Sequence, residues 1–375
     1  MSQNNKPTRK ELKRRIKEAL PKAGKTALKL IEKFVRTFLP IDLNYNAIHS
    51  QDAYFYQLIY MVMKEYSAEG SSKVLNMNFV APSPDQMLRV FNYRTSLLDS
   101  IRDNILLEIT NAAKRLGAFS QPTTIAIDFF DIPYYGDKNS LNVVGTKRKA
   151  GTNYAHSFLC GDAVVKGERF CLSFVQRTMV TEDVELLEKL LKTVLEHVSV
   201  SIVLLDREFF QVAVIKLLLR NSVSFIMPAT NTEEIKKLKK ENRYSLPCIV
   251  DYTMRSRNEE VTVKLVLIEG EKDGKKCVFG FITNLSWSAN EVAEYYRSRW
   301  GTETNNRKRN EFRAMTTSRR YEIRYLYYLL SAAMHNIWIL LNLIIACRFY
   351  GMQTVPLVEV YIMKEVVVAE ITSIQ

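Results

Sequence analysis

Negative charge is scarce in this chain: 40 Asp and Glu stand against 53 Lys and Arg, leaving a formal charge of +13. That excess favours a polyanionic partner, nucleic acid first and an anionic membrane surface as its competitor. Cysteine is equally sparse. The five cysteines (160, 171, 248, 277 and 347) are odd in number and form no Cys-x-x-Cys pair. This argues against a zinc site or a secreted disulfide framework and suits a reducing cytoplasm. The N-terminal stretch is polar and basic without an apolar leader, so no secretory signal is expected. No phosphate-cradling loop of the Gly-x4-Gly-Lys-Ser/Thr kind occurs, so no nucleotide cofactor is expected.

What is present is a globular chain of 375 residues, 47% hydrophobic, long enough for more than one domain. Residues 325–347 are nearly all apolar and close to a membrane span in length. His335, Asn336 and Asn342 interrupt that run. The expectation is therefore a buried core helix and no membrane attachment.

The pattern divides the chain into five parts. Residues 1–118 read as a basic, helical region. Lysines and arginines surround an apolar stripe from Leu12 to Phe38, either a solvated amphipathic helix or a phosphate-contacting arm. Ser83-Pro84-Asp85-Gln86 opens one of several short helices that could form a helix-turn-helix-like DNA reader. From 119 to 228 strands dominate, first three in succession and then alternating with helices, with Lys147, Arg148 and Lys149 in a basic loop. That order predicts an α/β fold: a ribonuclease-H-like mixed sheet flanked by helices. Residues 229–285 read as an inserted β-rich subdomain. Residues 286–350 return to the core with a basic helix and the apolar helix, and 351–375 form a tail without an assigned role.

Three acids stand where metal-assisted phosphodiester chemistry would need them. Asp128 ends the apolar run Thr124-Ile-Ala-Ile, Asp206 ends Ser199–Leu205, and Glu303 lies in the basic helical segment. Two strand-end aspartates and a helix glutamate can hold two divalent cations, Mg²⁺ or Mn²⁺, which activate the attacking oxygen and stabilise the leaving one. Asp131 and Asp137 are nearby rivals, but on a regular strand Asp131 faces away from Asp128. Tyr296, Arg299 and Glu303 step by 3 and 4 residues (299 − 296, 303 − 299), so a continuous helix would put them on one face. There Arg299 could grip a phosphate and Tyr296 could donate to its neighbour. Trp287 and Trp300 could stack on an extruded base or pack in the core; packing is the reading for Trp287. Tyr134 and Tyr135, close to Asp128, carry the same ambiguity. His156, Cys160 and His197 read as structural residues.

On these residues the chain resembles the DDE transposases of bacterial and archaeal insertion sequences. It resembles their insertion-sequence-four-like branch in particular, marked by a Tyr-x2-Arg-x3-Glu-x6-Lys signature. Tyr296, Arg299 and Glu303 match that spacing, and Trp300 follows the arginine as is usual there. The lysine position holds Asn310 instead, leaving Lys308, Arg309 or Arg313 to take its contact. Asp128 and Asp206-Arg207 resemble the two family aspartates. The resemblance implies binding of double-stranded DNA at terminal inverted repeats, nicking of the element ends, and joining of 3′-hydroxyls to target DNA, with a homodimer as the active complex. It implies Asp128, Asp206 and Glu303 as catalytic metal ligands. Tyr296, Arg299, Trp300, Arg207, Lys308, Arg309, Lys147, Arg148 and Lys149 are the expected DNA contacts. The rival expectations are a nuclease that only hydrolyses and an inactive DNA-binding descendant.

Overall fold

The computed structural model describes residues 9–165, 167–256, 259–272, 274–297, 299, 301–350 and 358–374, with the side chains of 9–13, 15–17, 19–21, 149, 272, 301–305 and 348–350 outside the description. Two compact units emerge: residues 1–118, 166–170 and 305–375, and residues 119–165 and 171–304.

In chain order, the elements begin with α1 (Arg9–Ile31), α2 (Gln51–Lys64), α3 (Ala68–Leu75), α4 (Pro84–Val90) and α5 (Thr95–Arg115). Then come β1 (Thr123–Pro133), β2 (Val144–Lys149), β3 (Thr152–Val165), β4 (Glu168–Arg177), α6 (Asp183–His197), β5 (Val200–Leu204), α7 (Val212–Arg220), β6 (Phe225–Pro228) and α8 (Glu233–Glu241). The chain continues through β7 (Cys248–Ser256), β8 (Glu259–Lys272), β9 (Lys275–Thr283), α9 (Ala289–Arg297), α10 (Gly301–Asn310), α11 (Tyr321–Tyr350) and α12 (Val360–Ile374).

The first unit is helical. Ser83 and Gln86 form the expected reciprocal cap on α4, each side chain bonding the other's backbone N–H. Gln57, fully buried on α2, donates to the hydroxyls of Ser71 and Ser72 on α3 at 3.1 and 2.8 Å. Burial of the amide nitrogen is tolerated because both hydroxyls accept from it. The apolar helix α11 is long and apolar enough to cross a membrane, yet 94% of that window is buried inside the protein. It packs against α5 and α1. Its Asn342 accepts from the Val358 N–H at 2.7 Å and donates to the Val358 carbonyl at 3.1 Å. The segment 351–375, without a role in the sequence reading, supplies α12, which lies along α1. Gly24 permits that approach, since a Cβ there would come within 2.9 Å of the Val366 carbonyl oxygen. The stripe Ala27, Leu28 and Ile31 of α1 is buried, which favours packing over a phosphate-contacting arm for this part of the helix.

The second unit is a mixed nine-stranded sheet of order β2-β3-β1-β5-β6-β9-β8-β7, with β4 also paired to β3. The strands β1, β5 and β6 are parallel; β1 and β3, and the run from β6 to β7, are antiparallel. The β-rich segment thus continues the core sheet through the pairing of Ile226 with Thr283. The basic loop at 145–151 is instead part of a hairpin. Lys149 pairs with Thr152 across Ala150 (φ 50°) and Gly151 (φ 86°), two successive positive φ angles that make a tight turn matching strand twist. An Ala-Gly pair is a weaker turn signal than Asn-Gly, which is why the sequence read as a loop. Helix α6 lies against the face on which Gly161 leaves room for Val194 and Leu190. Helix α9 covers the other face, where Val292, Ala289 and Tyr296 pack on Ile202, Leu204 and Ile226.

Candidate active site

The strand register brings two acids together. Parallel pairing sets Ala126 beside Leu204. Two residues further along each chain stand Asp128 and Asp206, at the same edge of the sheet. Each carboxylate is held by the next backbone amide: the Phe129 N–H donates to Asp128 Oδ1 at 2.9 Å, and the Arg207 N–H to Asp206 Oδ1 at 2.8 Å. Asp206 thereby caps the single helical turn Arg207–Phe209. Beyond Asp128 the β1–β3 register runs unbroken to Pro133. Asp131 therefore points to the opposite face, as side-chain alternation requires.

Arg299 stands between the two acids. Its guanidinium lies 3.5 Å from Asp128 Oδ2 and 3.6 Å from Asp206 Oδ1. These are ion pairs at the outer limit of contact rather than tight hydrogen bonds. Burial, the largest influence, pushes Asp128 up to about 6. Arg299 opposes that rise, while the like charges of Asp206 and Asp162 add to it. The two acids and Tyr296 in turn raise Arg299 above its ordinary value, although burial alone would lower it. Asp162 was not singled out in the sequence. It pairs with Ala126 on β3, is 2% exposed, and shares the Asp128 face of the sheet. The signal was there: one acid within the apolar run Ser157–Val165.

The helix face expected for Tyr296, Arg299 and Glu303 does not form as one helix. Helix α9 ends at Arg297 and α10 begins at Gly301, with Arg299 in the connection. Arg299 lies in tighter, 3-10 geometry and faces the aspartates. Tyr296 is buried, and its hydroxyl donates to the Leu205 carbonyl at 3.0 Å. This corrects the expectation of a phosphate contact: Tyr296 anchors α9 to the end of β5. The side chains of Glu303, Trp300 and Lys149 lie outside the described residues.

Other expected contacts divide by environment. Arg207, Lys147 and Arg148 are exposed. Lys147 lines a recess of about 540 Å³ with Phe129, Asp131, Asn153, Tyr154 and Arg177. Arg309 is fully buried and donates to the Tyr328 hydroxyl at 3.0 Å. Such a group cannot reach a phosphate without unpacking, which corrects its expected role. Lys308 is paired with Glu168 at 2.6 Å. Trp287 packs edge-on against Tyr295, and His156 is buried with its Nδ1 2.8 Å from the Asn142 carbonyl, both structural as read.

Among the described residues no group of three or more His, Cys, Asp or Glu side chains could hold a metal ion. The described donor set is two carboxylates joined only by a loose guanidinium. Hard carboxylate oxygens of this kind suit Mg²⁺ or Mn²⁺, which commonly take few protein ligands.

Residues 119–337 match the family described as transposase DDE domain. No curated protein matches the sequence. In fold the chain is similar to the piggyBac transposase, solved as a synaptic complex with hairpin DNA. That likeness has 14% identity and a TM-score of 0.58, over 94% of this chain and 80% of the other. Over more than half its length, then, this chain belongs to the transposase DDE domain family.

Proposed function

We propose that the protein binds double-stranded DNA at the ends of a mobile element, cuts the phosphodiester backbone and joins the freed 3′-hydroxyls to target DNA. The observation that carries this reading is the parallel register of β1 and β5. It sets Asp128 and Asp206 side by side under one arginine. Family membership, the charge of +13 and a fold neighbour solved with DNA support it. We further assign the chain to the insertion-sequence-four-like branch, on the spacing of Tyr296, Arg299 and Glu303.

In this reading Asp128, Asp206 and Glu303 hold two divalent cations. Bound there, the ions supply Lewis acidity at the attacking and leaving oxygens. The chain's own groups do the positioning. Phe129 and Arg207 N–H groups fix the two carboxylates, leaving Asp128 Oδ2 turned toward Arg299. Arg299 partly offsets the charge of the two acids in the free protein and turns its guanidinium to pair with a phosphate oxygen when DNA arrives. Hydrolysis breaks the bond to the 3′-oxygen and leaves a 3′-hydroxyl. That hydroxyl then attacks a target phosphorus and expels another 3′-oxygen, so no nucleotide energy source is consumed. The active complex is a homodimer acting in the cytoplasm.

The test is a cleavage and joining assay on a labelled duplex carrying the element's own ends, with Mg²⁺ or Mn²⁺. Metal-dependent nicking and joining that vanish in Asp128→Asn are expected. Nicking without joining would leave a nuclease, and salt-sensitive binding without cleavage a DNA-binding protein.

A further inference from the structure

Beside the two acids, Arg207 and Lys239 are near enough to repel one another, and among the described residues neither forms an ion pair with a carboxylate. The parallel pairing of Leu204 with Ile226 means that the segments following β5 and β6 leave from the same sheet edge. The first carries Asp206 and Arg207; the second leads to α8. Helix α8 is capped by the Thr232 hydroxyl and anchored by the fully buried Ile235. Its sequence Glu-Glu-Ile-Lys-Lys-Leu-Lys-Lys-Glu places Lys236, Lys239 and Lys240 on one face (239 − 236 = 3, 240 − 236 = 4).

Two of the three acids of α8 are paired with other lysines of the helix: Glu233 with Lys236 at 2.6 Å and Glu241 with Lys237 at 3.7 Å. Lys239 donates instead to the neutral amide of Asn231 at 2.7 Å. Its stem passes over Gly280 of β9, within 3.4 Å of where a Cβ would stand. Partial burial, and then repulsion from Arg207, hold its ammonium below the ordinary value; the Cys277 thiol is the group acting the other way. Arg207 is exposed and makes no side-chain hydrogen bond or ion pair among the described residues. Holding two like charges together without a counter-ion costs free energy, and a bound anion would reverse the sign.

We propose that Arg207 and Lys239, extended by Lys240, form a phosphate-binding subsite for a DNA strand passing the Asp206 side of the active site. This rests on the DNA reading above and adds to it a named part of the track that DNA follows. Helix α8 lies in the segment 229–285, for which the sequence suggested no contact with DNA.

The test measures DNA binding by the full chain, by fluorescence anisotropy on a labelled duplex in Ca²⁺ at several salt concentrations. Each lost phosphate contact lowers the slope of log affinity against log salt by about 0.9. Lys239→Gln is expected to lower the slope by that amount and Lys239→Arg to restore it. Lys237→Gln, on the far side of the helix from Lys239 and paired with Glu241, is expected to leave it unchanged. Circular dichroism identifies a variant that fails to fold, and Arg207→Gln then carries the same expectation independently. Wild-type binding whose slope neither Lys239→Gln nor Arg207→Gln alters would overturn the subsite and leave the transposase reading standing. Absence of salt-dependent binding by the wild type would overturn the DNA reading itself.

Discussion

In the helical unit, Lys364 lies 2.5 Å from Glu65, and Arg102 lies 2.8 Å from both Asp99 and Asp103. In the sheet unit, Arg299 stands 3.5 and 3.6 Å from the two acids it faces. The first set is closed, with each charge directly engaged. The second is open: one guanidinium divided between two carboxylates, one of them burdened by burial. Charges that serve packing settle into short, direct pairs. Charges that must exchange partners during a reaction are held near one another without being satisfied. The Arg299 pairs are longer than these two packed sets, which accords with the role proposed for the two aspartates.

The largest effect expected of that contrast is on chemistry. Asp206→Asn should lower metal-dependent DNA cleavage by roughly 10³–10⁴-fold, as loss of one member of a catalytic unit does. Thermal stability should hardly change. Wild-type cleavage by this variant would place the open charges outside the reaction. Glu303→Gln should behave likewise, keeping DNA binding and losing cleavage, measured on the same duplex.

In the helical unit the sensitivity should be reversed, toward stability. Gly24→Val drives a side chain into the Val366 carbonyl, and overpacking of this kind costs about 1–3 kcal/mol. Urea denaturation should show a lowered midpoint; an unchanged one would mean that α12 can move aside freely. Asn342→Ala should cost a similar amount, about 1–3 kcal/mol, because it strands the Val358 N–H.

The smallest effect is on pH. Asp128 titrates near 6, above its usual range, so the folded protein keeps a proton that the unfolded chain releases between about pH 4 and pH 6. Stability of the metal-free protein should fall as pH rises through that window. Asp128→Asn lacks the titration and should gain about 1–2 kcal/mol relative to wild type between pH 4 and pH 7, a figure reduced for the partial exposure of the site. Parallel melting curves for the two proteins across that range would show that burial does not disfavour the carboxylate.

Much of the architecture was readable before the structure. The switch from helical periodicity to strand runs near residue 120 is a property of local composition, and so is the cap at Ser83. The two aspartates were recognisable as strand ends, but not as neighbours. Their adjacency comes from the pairing of Ala126 with Leu204, residues 78 positions apart (204 − 126). The break between α9 and α10 was hidden because the segment 289–310 contains no proline, and its one glycine, Gly301, begins the second helix. Arg309 looked like one more surface cation in a basic run, and only its neighbours show it to be buried.

The sequence by itself determined the class of fold, the sign of the charge, the change from helices to strands near residue 120, and the residue types able to bind hard cations. These follow from side-chain periodicity and composition, which act over a few residues. Tertiary structure decided which acids meet, which arginine stands between them, and which cations stay in water. It also made the C-terminal segment the partner of α1. Each of these depends on strand register and helix packing between distant parts of the chain, where a shift of one residue would turn Asp128 to the other face of the sheet.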